Sequence, residues 1–126
     1  MRNHALSCLC LSALLAASHV QGQAPADTAA DMAVRWQARV LEAQQRITDA
    51  RVAEARRETL SASQLYNKAL ELVQGIGETA EGVRQQAIEG LSRTTLQLAD
   101  QAMKRSDYND AKLHIDRVLK VDRLHE

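Results

Sequence analysis

From Thr28 to Arg57 no glycine or proline interrupts the chain, and apolar side chains recur there with a helical rhythm. Trp36, Val40, Ala43, Ile47 and Ala50 follow one another at spacings of four and three, which places them on one face of a helix. Arg35, Arg39, Glu42, Arg46 and Asp49 fall mostly elsewhere. A stripe of this kind must be covered, and the composition after residue 27 favours helices to cover it: Ala, Leu, Gln, Glu and Arg dominate. One proline, Pro25, and five glycines supply too few turn signals for an all-β fold. The expected class is all-α.

Three further helices can be read. Thr59 or Ser61 opens the second, which carries Leu65, Ala69, Leu72 and Ile76 on one face and closes at Gly75 and Gly77. The third starts near Glu78 and runs to about Arg105, with Val83, Ala87, Leu91, Leu98 and Ala102 as its stripe and Thr94 and Thr95 diluting it. Gly82 and Gly90 each cost about 1 kcal/mol relative to alanine inside a helix, so both are expected at close helix contacts. Ser106-Asp107 is the last break, and Asp107 can cap a fourth helix with Tyr108, Ala111, Ile115 and Val118 on one face, ending near Asp122. Short turns make successive helices antiparallel neighbours. The expectation is about four helices in two hairpins.

Residues 1–22 read as a secretory signal. Arg2 and His4 give a positive start, and Ala5 to Ala17 is an uncharged run, shorter than the roughly 20 residues that span a bilayer. Cleavage after Gly22 or after Ala26 fits the small residues at both places. Cys8 and Cys10 could form a metal, redox or lipid-attachment element, but both lie inside the apolar run and are expected to leave with it. The mature chain would then have no cysteine and no disulfide. Residues 23–30 read as a tether and residues 31–126 as the helical module, with no membrane-spanning segment in the mature chain. The product is expected to be exported, to the periplasm in a double-membraned bacterium.

At 126 residues the chain supports one domain, and its 16 basic and 16 acidic residues leave no field to attract a polyanion. Trp36, Tyr66 and Tyr108 are its only aromatic residues and stand apart, unlike the basic, aromatic-laced surfaces that bind nucleic acid. Catalysis needs a nucleophile with a base, paired acids or metal ligands. After residue 22 the only histidines are His114, near Asp110 and Asp116, and His125. Neither has a second histidine one turn away, and both are expected to be solvated. No catalytic residue, metal, cofactor or small-molecule substrate is expected. The mixed charges from Arg46 to Glu58 read as a solvated face with i,i+4 pairs. Two readings of Trp36 stand: plain core, or, with Val40 and Tyr108, an anchor for a partner.

The two hairpins share a spacing. Ala50, Ala62, Tyr66 and Ala69 in the first correspond to Ala99, Ala111, Ile115 and Val118 in the second, and Ala53 corresponds to Ala102. Small residues at these places let the helices of a hairpin approach closely. The pattern resembles the tetratricopeptide repeat, and Ser106-Asp107-Tyr108-Asn109-Asp110-Ala111 is similar to that family's Gly-Asp-Tyr-x-x-Ala turn. Gln74 and Arg123 stand where the family usually has proline. The copies lie 49 residues apart instead of the repeat's 34, and a generic four-helix bundle would show similar spacings.

A second resemblance covers Glu78 to Asp122. Glu81-Gly82-Val83-Arg84-Gln85-Gln86-Ala87-Ile88-Glu89-Gly90-Leu91, Leu96 to Ala102 and Ser106-Asp107-Tyr108 resemble the helical repeat region that precedes the rings and pore of bacterial type II secretion and type IV pilus secretins. What this resemblance implies is a non-catalytic periplasmic scaffolding module associated with an outer-membrane secretin. The alternatives are a stand-alone periplasmic adaptor or self-associating helical protein, and the helical appendage of a secreted enzyme. The expected partner is a protein or a second copy of the chain.

Overall fold

A computed structural model describes residues 26–123. Helix α1 spans Ala26–Ala55, α2 Thr59–Val73, α3 Glu81–Lys104 and α4 Tyr108–Arg123, and a single 3-10 turn, Glu78–Ala80, leads into α3. Each helix packs on the next, and α1 also touches α3. The architecture is all-α, built of helical hairpins, and the described residues contain no strand. Residues 1–22, expected to be a signal, with Cys8 and Cys10, and His125 all lie outside the described residues. Helix α1 begins at Ala26, so residues 26–30 of the expected tether belong to it.

The turns explain where the helices stop. After α1 the backbone of Arg57 enters the left-handed region at φ 63°. The Glu58 N–H then donates to the Ala53 carbonyl (2.9 Å) and the Arg57 N–H to the Glu54 carbonyl (2.9 Å), a closing motif that satisfies two carbonyls at the helix end. The same arrangement recurs 49 residues on. Ser106 has φ 59°, the Asp107 N–H donates to Ala102 and the Ser106 N–H to Met103, both at 2.9 Å. Each following helix starts alike, with the Ala62 N–H on the Glu58 carbonyl and the Ala111 N–H on the Asp107 carbonyl, both 3.0 Å. Asp107 also caps α4 as expected, its Oδ1 accepting from the Asp110 N–H at 3.1 Å. Between the hairpins Gly75 takes φ 76°, a conformation that glycine adopts without the steric cost of a Cβ.

The core is thin and lies among α1, α2 and α3. Of the 17 buried apolar residues described, 10 are alanine, so the helices must come close for their surfaces to meet. Tyr66 supplies the bulk: it is buried, and its ring occupies the space over Gly90 of α3. A Cβ on Gly90 would stand 2.3 Å from that ring, so this glycine marks the expected close contact. Gly82 does not, because a Cβ there would meet nothing within 4 Å.

Two sequence expectations need correction. The buried face of α2 is Ala62, Ser63, Tyr66, Ala69 and Val73, with Leu65 and Leu72 only partly buried beside it. Thr94 and Thr95 are not diluents on α3 but buried core members. The Thr94 hydroxyl donates back to the Gly90 carbonyl (2.8 Å), and Thr95 meets the Ser63 hydroxyl of α2 at 3.4 Å. Both polar groups are thus satisfied where burial would otherwise be costly.

Candidate protein-interaction site

Three residues from three helices lock the two hairpins together. The Tyr66 hydroxyl of α2 donates to Glu54 Oε2 of α1 at 3.1 Å. Arg93 of α3 grips the same carboxylate in a fork, Nε to Oε1 at 3.1 Å and Nη2 to Oε2 at 2.9 Å. Its Nη2 also reaches the Tyr66 oxygen at 3.4 Å. Burial, reinforced by the bond to Glu54 and that carboxylate's charge, raises the Tyr66 phenol above its ordinary value. The bond to Glu54 raises the Arg93 guanidinium in turn. Arg51 adds a second link to α3 through Gln86 at 3.0 Å. The mixed charges of α1 are therefore not simply a solvated face: Arg46 pairs with Glu42 one turn away, but Arg51 and Glu54 cross to α3.

The lock fixes the register of α1 and so decides what it leaves uncovered. Arg39 Nη2 donates to the Glu71 carbonyl at 3.4 Å, level with the last turn of α2. Ahead of that point, 29–38 are exposed without exception. Val40 is half-buried against the core, whereas Trp36 is 42% and Met32 46% exposed. Helical spacing puts Met32 and Trp36 on the face that lower down carries the buried Ala43, Ile47 and Ala50. The apolar stripe thus runs beyond the hairpin that covers it.

The second hairpin is open in another way. Ala50, Ala62, Tyr66, Ala69, Ala99 and Ala111 are all buried, but Ile115 is 43% exposed and Val118 half-buried. Ile115 stands where Tyr66 stands in the first hairpin. Tyr66 is covered by α3, and among the described residues no following helix covers Ile115. Tyr108 is 65% exposed at the start of α4, well away from Trp36 in the chain's order of packing. The structure does not bring these two aromatic residues into one site.

A groove of about 570 Å³ lies between the end of α2, the start of α3 and the second half of α4. Leu70 and Val121 line it along with Arg84, Arg117 and Lys120. Arg84 is committed to the fold, donating to the Ile76 carbonyl beyond the end of α2 and pairing with Glu81. His114 is not solvated as expected: its side chain is 14% exposed and its Nε2 lies 3.4 Å from Asp110 Oδ1. Among the described residues no three histidine, cysteine or acidic side chains converge as metal ligands would. No described helix is long and apolar enough to cross a membrane.

The fold thus defines a helical-hairpin protein whose most distinctive surface is an uncovered apolar stripe. Comparison with family models, curated proteins and solved structures gives no match.

Proposed function

We propose that this chain is a non-catalytic protein-interaction module of tetratricopeptide-like hairpins. On this reading it is exported to the periplasm and associated with a secretin-type outer-membrane secretion or pilus system. The observation that carries the interaction reading is the uncovered stripe of α1, where Met32 and Trp36 continue a buried face into solvent. Recurrence of one turn and one set of buried alanines 49 residues apart supports the repeat reading. The link to a secretin rests on the resemblance of residues 78–122. Fractionating cells and blotting with and without boiling in detergent tests that link. A large, heat-dissociable species in the outer-membrane fraction is the expected result. A soluble periplasmic species of the mature chain's own mass would overturn the secretin association and leave a free-standing adaptor.

A second reading, a self-associating helical protein unrelated to secretion, is favoured by the same stripe, because an apolar face open on one copy can be covered by another.

A further inference from the structure

The second hairpin repeats the first 49 residues on, and α3 lies across the first, so the surface that α3 meets there has an equivalent on α3 and α4. Contacts of α3 with the first hairpin run in a line. Gln101 Nε2 donates to the Thr59 hydroxyl at 3.4 Å, Thr95 meets Ser63, Gly90 lies against the Tyr66 ring, and Arg93 holds Glu54. Numbers rise on α3 as they fall on α2, so the covering helix runs antiparallel to the one it covers. Adding 49 to Glu54, Thr59, Ser63 and Tyr66 gives Met103, Tyr108, Lys112 and Ile115. Met103, Tyr108 and Ile115 are all exposed, as is Leu119, the equivalent of the half-buried Leu70. Tyr108, Lys112, Ile115 and Leu119 share one face of α4.

The changes at these positions describe what fits there. Gly90 leaves room for the ring of Tyr66; Ile115 is smaller, so alanine as well as glycine fits over it. Met103 cannot accept the bonds that Glu54 takes from Arg93, and an arginine buried there would keep an unpaired charge, so an aliphatic side chain belongs opposite. Lys112 stands where Ser63 meets Thr95. Its ammonium has three donors, of which Asp116 takes one at 2.5 Å, and a carboxylate opposite would take another. A second copy does not offer such a helix, because α3, which comes nearest, is held between α2 and α4 in each.

We propose, resting on the interaction reading above, that the open face of α3 and α4 binds one amphipathic helix of a partner protein. That helix lies antiparallel to α4, with a small residue over Ile115, an aliphatic one at Met103 and a carboxylate at Lys112.

The probe is a fluorescein-labelled peptide of Glu81–Lys104 carrying Arg93→Leu and Thr95→Glu, titrated with the purified chain by fluorescence anisotropy. Saturable one-to-one binding is expected. Ile115→Asp in the chain weakens it roughly tenfold or more, as loss of a central anchor does, and Gly90→Leu in the peptide does the same. Lys112→Glu weakens it too, and Thr95→Lys in the peptide restores it. Ile115 and Lys112 are exposed, and circular dichroism of each variant shows that the helices persist. No binding, or binding indifferent to Ile115→Asp, would overturn the proposal while leaving the stripe of α1 and the interaction reading untouched. Binding that only Trp36→Ala weakens overturns it and keeps the interaction reading, because the peptide then sits on α1. Self-association in sedimentation velocity that Ile115→Asp abolishes puts a second copy on this face and overturns it as well.

Discussion

Gly90 and Tyr66 are two halves of one packing decision. The phenol ring fills the place where a side chain on residue 90 would stand, and the ring cannot swing away because Glu54 and Arg93 hold its hydroxyl. Gly90→Ala is therefore expected to cost about 2–3 kcal/mol, the upper part of the range for overpacked cores. Gly82→Ala meets nothing and should instead stabilise by about 0.5–1 kcal/mol through helix propensity. Urea denaturation of the two variants checks both signs at once. Tyr66 also makes a pH prediction. Its phenol titrates above the ordinary value because it is buried and bonded to Glu54. A group whose folded value is raised contributes stability that is present below its unfolded value, about 10, and is lost as pH rises through the folded one. Thermal unfolding should thus show stability falling above about pH 10, and Tyr66→Phe should flatten that fall. The sequence spacing pointed to Tyr66 and to a close contact at Gly90. It could not show Glu54 and Arg93 meeting, because those residues lie 39 apart and no local pattern joins them.

Among the elements, the turns were the most legible and the buried face of α2 the least. Arg57 and Ser106 close their helices in the same left-handed conformation, and neither is glycine. That conformation costs an L-residue roughly 1–2 kcal/mol, partly offset by the extra freedom glycine has in the unfolded chain. Arg57→Gly and Ser106→Gly are each expected to raise stability by up to about 1 kcal/mol, and, lying far apart, to add. Chemical denaturation of the single and double variants measures it. The face of α2 was misread because leucines advertise themselves more loudly than alanines. Where helices run close, Ala62 and Ala69 take the centre and Leu65 and Leu72 are pushed to the flanks. Thr94 and Thr95 were misread for the same reason, since hydroxyls that bond locally or to Ser63 can be buried without loss.

At the scale of the molecule, the all-α class and the two hairpins were legible because period and turn residues agree along the chain. What the hairpins leave uncovered was not, since it depends on register between helices. The lock of Glu54, Tyr66 and Arg93 sets that register, and Ile115 is open because nothing described plays over it the part that α3 plays over Tyr66.

Helix α1 spans 30 residues and α2 only 15, so one continuous helix is expected to open at two different rates. From Val40 onward its amides open only when the hairpins come apart. Ahead of Arg39 no packing holds the exposed turns 29–38, so they are expected to fray at little cost. Hydrogen exchange along α1 would then fall into a fast half and a slow half with a step near Arg39. Trypsin would nick first after Arg35, within the turns that the hairpins leave exposed.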